Sequence, residues 1–329
     1  MCSSDLPQEA WRDGYRVIRK AGRYGVFPRA ALAEVLGRHG SSDALVEIWN
    51  GMPFFSPVWA RTPHVTWFHH VHAEMWNMTL PPRLAVAGRT LEARIAPKFY
   101  RRTPIVTLSD SSKRDLVEDL GFADRMVHVV PPGIDPRFTP GGVRSDRPLV
   151  VAVGRLVPVK RFEVLVPILV ELKRRVPDLE AVIVGEGYRR DEIESQIHAY
   201  GAQDWITLAG RVEDDELISL YRRAWVLASA SAREGWGMTL TEAAACGTPA
   251  VATRISGHED ALSEGESGLL GANREELAAA LGRVIGDESL RRRLTAGALE
   301  HAQRFTWENT AFGTLEVLAA EAMRRRRRP

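Results

Sequence analysis

The sequence predicts an α/β protein of two domains, the second a doubly wound parallel sheet. Three observations predict it. Short apolar runs alternate with helix-periodic segments between 149 and 253, as strands joined by crossover helices do. The stretch "PPGIDPRFTPGGVRSDRP" (131–148) holds five prolines, three glycines and no apolar periodicity, and reads as an interdomain linker. The chain has 329 residues, which favours two domains over one.

Before the linker, Tyr15–Arg19, "ALVEIW" (44–49), "HVTWF" (64–68), "IVTLS" (105–109) and "MVHVV" (126–130) are expected strands. Leu84–Tyr100 and Ser111–Leu120 are expected helices, the second with Asp110 as its N-cap. After the linker come strands 149–153, 180–185, 205–210, 225–229 and 249–253. Between them lie helices at 161–175, Asp191–Tyr200, Asp214–Arg223 and Thr239–Cys246, the third opened by an acidic cluster that suits a helix N-terminus. Thr306–Met323 reads as an amphipathic helix, followed by the solvated run Arg324 to Arg328. The expected division is 1–140, 141–305, and a terminal helix with its tail at 306–329.

Composition narrows the function classes. Hydrophobic residues make up 45% and charged residues 26%, an ordinary globular balance that needs no disulfide or metal staple. Cys2 and Cys246 form no spacing pattern, which points to a reducing, cytoplasmic setting. A net charge of +2 excludes a general polyanion binder. Residues 1–147 carry 20 Lys and Arg against 15 Asp and Glu, the rest 24 against 27, so a basic first half has a peripheral contact with an anionic membrane face as one reading. No apolar run reaches the roughly 18–20 residues of a membrane span.

Two constellations carry chemistry. In "GRLVPVKR" (154–161), Gly154 permits a tight turn after a strand, and Arg155 and Lys160 are then placed at the carboxyl edge of the sheet. An arginine fork and a lysine point charge suit a diphosphate. In "SAREGWGMTLTEAAACGTP" (231–249), Glu234 lies in a glycine-bearing loop and Glu242 sits one turn inside the following helix. Free amides at such a helix start bind phosphate, and carboxylates accept paired sugar hydroxyls. Solvated strand-end cations and a dipole-favouring glutamate are the bland alternatives. "HVTWFHHVHAEMW" (64–76) adds His69, His70 and His72; His70 and His72 share a strand face, but nothing completes a tetrahedral metal set. The tryptophans at 49, 59, 67 and 76 read as core or interdomain packing, with acceptor stacking as the alternative, and Cys246 as a small buried residue.

With "VVPPGID" (129–135) and "TLSDSSKRDL" (107–116), these motifs resemble the retaining glycosyltransferases of family four, which have the GT-B architecture of two Rossmann-like domains facing a cleft. The resemblance implies that Arg155 and Lys160 hold the pyrophosphate of a nucleoside diphosphate sugar. It implies that Glu242 holds the ribose and Glu234 the transferred sugar. Backbone groups of Gly235, Trp236, Gly237, Met238 and Thr239 would help hold the donor, with the base near Gly210, Arg211 and Val212. His69, directly after its strand, is the first choice for the histidine near the reacting sugar. No metal and no resident cofactor are expected. The partners expected are the sugar nucleotide and a hydroxyl acceptor, a glycan, lipid or small molecule, without nucleic acid.

The family usually opens with a strand, a glycine-rich loop and a helix. This chain opens with "MCSSDLPQEAWRDGYRV", so an incomplete N-terminal domain is expected. A donor-binding remnant without turnover and a sugar-nucleotide epimerase of similar architecture are the alternative functions.

Overall fold

A computed structural model describes residues 7–22, 25–73 and 75–327; Cys2 and Arg328 lie outside them. The chain opens with an antiparallel hairpin, β1 (Glu9–Arg12) and β2 (Tyr15–Ile18), then helix α1 (Val26–Val35). A four-stranded parallel sheet follows in the order β3 (Leu45–Trp49), β4 (His64–Phe68), β5 (Ile105–Thr107), β6 (Val127–Val129). Its connections carry α2 (Ser56–Trp59), α3 (Met75–Thr79), α4 (Pro82–Thr90), α5 (Ala96–Tyr100) and α6 (Asp110–Glu118).

The second sheet is built from β7 (Leu149–Val153), β8 (Glu180–Val184), β9 (Ile206–Gly210), β10 (Val226–Ser229), β11 (Ala250–Thr253) and β12 (Gly268–Gly271). All pairs are parallel, in the order β12-β11-β10-β7-β8-β9. The crossover helices are α7 (Phe162–Lys173), α8 (Arg190–Ala199), α9 (Asp214–Arg223), α10 (Met238–Ala245) and α11 (His258–Ala261); α12 (Arg274–Gly286), α13 (Glu288–Ala302) and α14 (Trp307–Arg326) complete the chain. Strand order reverses between β7 and β10, and open sheets of this kind bind ligands in the crevice at that switch point.

Helices cover both faces of the second sheet because its strands are apolar on both sides. Leu165, Leu169, Leu281 and Val284 pack on one face, Tyr221, Leu240, Ala298 and Phe305 on the other. The four-stranded sheet buries Trp49, Phe68, Tyr100 and Ile105 on one face. On its other face α14 returns to lay Val317 against Val65, Val106 and Val130. Gly133 allows the crossing: a Cβ there would stand 2.3 Å from the Trp307 amide nitrogen. Among the described residues, no helix is long and apolar enough to cross a membrane.

Several expectations need correction. Ser109, not Asp110, is the N-cap of α6; its hydroxyl accepts from the Ser112 amide at 3.0 Å, and Asp110 is the first helical residue. The helix expected over Leu84–Tyr100 begins at Pro82 and passes through a π turn at Leu91–Ile95. Pro97 has no N–H for the carbonyl four residues back, and the wider turn precedes it. The arginine run is not a solvated tail through Arg326. It is helical, and Arg324 and Arg325 are drawn onto Glu321, whose buried carboxylate requires cationic partners. Helices α1, α12 and α13 and strand β12 were not anticipated, because their short or alanine-rich apolar patterns lack a clear period.

Candidate functional site

The site is assembled from loops that leave neighbouring strands at the switch point. After β7 the chain turns at Gly154 and makes a tight 3-10 turn over Pro158–Lys160. Gly154 has no side chain because the Lys160 stem lies across it: a Cβ would meet Lys160 Cδ and Cε at 3.3 Å. The loop after β8 presses in from the other side, where a Cβ on Gly185 would stand 1.9 Å from the Gly154 carbonyl oxygen. Lys160 is thereby led along the sheet edge, and its Nζ reaches Glu234 Oε1 at 2.5 Å.

Glu234 is fixed from a second direction. The Ser231 hydroxyl donates to the same Oε1 at 2.7 Å. Below lies His258, at the start of α11 and 1% exposed. Its Nδ1–H donates to the Thr253 carbonyl at 2.9 Å, which leaves Nε2 facing the Ser229 hydroxyl at 3.5 Å. Burial holds this imidazole below its ordinary pKa, opposed by the nearby Glu234 charge, so it is neutral at pH 7. Nothing in the sequence singled out His258 or Ser231, because their role depends on strands distant in sequence.

Helix α10 starts at Met238, after Gly237 at φ +130°. The Gly237 hydrogen side abuts His258 Cδ2, where a Cβ would sit at 3.1 Å. The indole of Trp236 is buried edge-on against Phe305, centroids 5.0 Å apart, so only its backbone faces the loop. Met238 and Val212 are half-buried against the apolar cluster that contains Leu240 and Tyr221.

Glu242 is held apart from the Lys160–Glu234 pair. The Tyr221 hydroxyl on α9 donates to its Oε2 at 3.1 Å. Burial raises the Glu242 pKa above the usual carboxylate value, the charges of Asp214 and Asp135 add to this, and the Tyr221 bond opposes it. Arg155 is exposed just past β7, and Arg211 is exposed past β9. Gly210, at φ +72°, leaves room for Glu186, whose Oε1 would stand 2.7 Å from a Cβ there. The structure thus joins Lys160 to Glu234 directly, and among the described residues no hydrogen bond or ion pair links either of them to Arg155 or Glu242. Cavities of about 670 and 570 Å³ lie elsewhere, and neither is lined by these four residues.

The first domain closes directly over this loop. A Cβ on Gly235 would stand 2.4 Å from the His69 carbonyl oxygen. The hydroxyls of Ser109 and Ser112 reach the Gly235 carbonyl at 3.2 and 3.3 Å. Asp260 on α11 accepts from the amides of Asp110 and Ser111, at 3.1 and 3.3 Å, across the domain boundary. Arg233 pairs with Asp115 at 2.8 Å.

His69 is half-buried, its ring edge-on to Trp67, and burial keeps it below the ordinary histidine pKa. His70 stacks on His72 at 4.5 Å, has an Nε2 without a partner among the described residues, and is pushed down to about 3 by burial and then by the neighbouring histidines and Arg233. Glu92, 1% exposed, accepts from the amides of His72 and Ala73 and from the Trp76 indole. Among the described residues no three His, Cys, Asp or Glu side chains are grouped to hold a metal ion.

Residues 136–301 match the family described as glycosyl transferases group 1. The chain is 32% identical to a D-inositol 3-phosphate glycosyltransferase of Xylanimonas cellulosilytica, over 77% of this chain and 69% of that protein. It is 36% identical to the enzyme of the same name from Acidothermus cellulolyticus, over 65% and 52%. The chain therefore spans from about half to about two thirds of the length of these relatives. Among solved structures, sucrose-phosphate synthase from Thermosynechococcus elongatus superposes with a TM-score of 0.81 at 19% identity, over 96% of this chain and 86% of that one. Anabaena HepE in complex with UDP and glucose gives 0.73 at 21% identity, over 91% and 83%. These two show that the fold is shared.

Proposed function

Because the chain belongs to the glycosyl transferases group 1 family, we propose that it moves a sugar from a nucleoside diphosphate sugar to a hydroxyl acceptor with retention at the anomeric carbon. The observation that carries this reading is the Lys160–Glu234 pair at the switch point, beside the start of α10. On donor binding the pair opens. Lys160 turns to the pyrophosphate, joined by Arg155 from the strand end and by the first-turn amides of α10 at Met238 and Thr239. Glu234 is released to the hydroxyls of the transferred sugar. Glu242 takes the ribose, with the base lying near Gly210, Arg211 and Val212.

As the glycosidic bond breaks, negative charge grows on the leaving diphosphate. Lys160, Arg155 and the α10 dipole stabilise it where it develops. These groups supply the charge that a metal ion would otherwise supply, so the reaction is read as metal-independent. Among the described residues the side chains bonded to Glu234 are those of Lys160 and Ser231, and the reaction is read as having no separate nucleophile, with the acceptor attacking the face that the diphosphate leaves. His69, on the opposing domain, borders the reacting sugar, and contact between the domains excludes water.

The test is proton NMR of the full chain with a panel of nucleoside diphosphate sugars, with and without hydroxyl acceptors. D-inositol 3-phosphate belongs in that panel because the relatives carry it in their name. An acceptor-dependent α-linked product from an α-linked donor supports the proposal. Release of epimerised sugar without acceptor, or donor binding with no turnover on any acceptor, overturns it.

A further inference from the structure

At the amino-terminal edge of the four-stranded sheet, where β4 begins with His64, lies a cavity of about 570 Å³. It is at the opposite end of β4 from His69, so it is separate from the site described above. Its walls come from two elements far apart in sequence, the end of α5 and the end of α14. Lys98, Arg101 and Arg102 contribute from the first, Arg324 and Arg325 from the second, and among the described residues no carboxylate lines it.

Five cations do not gather by default; their repulsion must be offset. Here the arginines of α14 are held by specific ion pairs and hydrogen bonds. Glu321, with its side chain 1% exposed, binds Arg324 at 2.6 Å and Arg325 at 2.7 Å. Arg324 also donates to the Arg102 carbonyl at 2.8 Å, and Arg325 to the Thr62 carbonyl and His64 Nδ1, both at 2.8 Å. His64 accepts from a guanidinium and is therefore neutral there. On the other wall, Lys98, Arg101 and Arg102 are exposed and have no carboxylate within 4.0 Å among the described residues. One wall is thus preorganised and the other carries uncompensated charge, which is the arrangement that receives clustered phosphate oxygens.

We propose that this cavity is a second anion site, which takes a phosphate-bearing ligand and fastens the end of α14 to the end of α5. The shared chemistry is a cluster of phosphate oxygens, whether carried by a soluble polyphosphate or by an anionic lipid headgroup. The exposed Phe99 on the same rim is compatible with either source. The inference does not rest on the proposed reaction.

Calorimetric titration of the full chain with tripolyphosphate tests it, alongside Lys98→Glu/Arg102→Glu and, to remove the other phosphate-binding candidate, Arg155→Ala/Lys160→Ala. The Lys98/Arg102 side chains are exposed, so circular dichroism of that variant should match the parent. The expected result is binding that survives in Arg155→Ala/Lys160→Ala and weakens roughly tenfold or more in Lys98→Glu/Arg102→Glu. Tripolyphosphate should also protect the arginine run from trypsin in the parent and not in the Lys98/Arg102 variant. Sedimentation with phosphatidylglycerol vesicles separates the sources: parent pelleting that the variant loses assigns a lipid headgroup, and soluble binding alone assigns a free polyphosphate. Equal binding, protection and pelleting by parent and Lys98/Arg102 variant, or no binding of either probe by the parent, overturns the proposal.

Discussion

Lys160 and Glu234, 74 residues apart, meet at 2.5 Å on loops that leave adjacent strands β7 and β10. Each half-buried side chain is the other's ionic partner. Under the proposed function, a ligand that brings both phosphate and sugar hydroxyls would satisfy the two separately and replace this internal contact with two external ones.

Lys160→Ala is expected to lower kcat/KM by about 100-fold, because a cation is lost where charge develops on the leaving group. Steady-state kinetics with the donor identified by NMR checks this. Lys160→Arg should restore part of the loss; equal activity in Lys160→Ala and the parent would remove the residue from the mechanism.

Glu242 has a pKa raised by burial, so it protonates at higher pH than an ordinary carboxylate. If its ionised form binds the ribose, nucleotide affinity falls on acidification beginning above the ordinary carboxylate value of 4.5. Calorimetry between about pH 8 and about pH 5 reads it. Glu242→Gln should weaken binding at pH 8 and flatten the profile. The folded state takes up this proton more readily than the unfolded state does, so the group itself favours folding as pH falls through the raised pKa.

Asp260 caps α6 across the domain boundary by accepting from the amides of Asp110 and Ser111. Asp260→Ala should cost about 1 kcal/mol, equivalent to a melting temperature lower by about 2–4 °C. Scanning calorimetry checks it. An unchanged melting temperature would mean that water replaces the cap without loss.

His70 is held neutral down to about pH 3 in the folded chain, against an ordinary value of 6.5. Between these values the unfolded chain binds a proton that the folded chain refuses. Stability contributed by this residue is therefore full above 6.5 and declines as pH falls toward 3, by up to about 1.4 kcal/mol per unit. Urea unfolding at several pH values should show a shallower acid decline in His70→Phe. His69 and His258, also lowered by burial, would keep the remainder.

Much of the second domain was legible. The strands at 149–153, 180–184 and 206–210 stand where their apolar runs predict, and Asp214–Arg223 is a helix over the predicted span. Other features were out of reach for physical reasons. The N-cap passed to Ser109 because its hydroxyl, not the Asp110 carboxylate, faces the Ser112 amide. The arginine run folded back because Glu321 is buried against the first domain, a fact that no local pattern contains.

The amino acids alone determined the repeated strand–helix rhythm, the glycine turn at Gly154 and the presence of Lys160, Glu234 and Glu242 near strand ends, since each follows from local periodicity and backbone freedom. Only the tertiary structure decided which of these meet. Strand order put β7 beside β10, so Lys160 found Glu234, while Tyr221 drew Glu242 toward α9. The packing of α14 on the first sheet likewise built the basic cavity from residues more than 200 positions apart. Such pairings depend on sheet order and helix return, which are settled by burial of the whole apolar surface and not by any one segment.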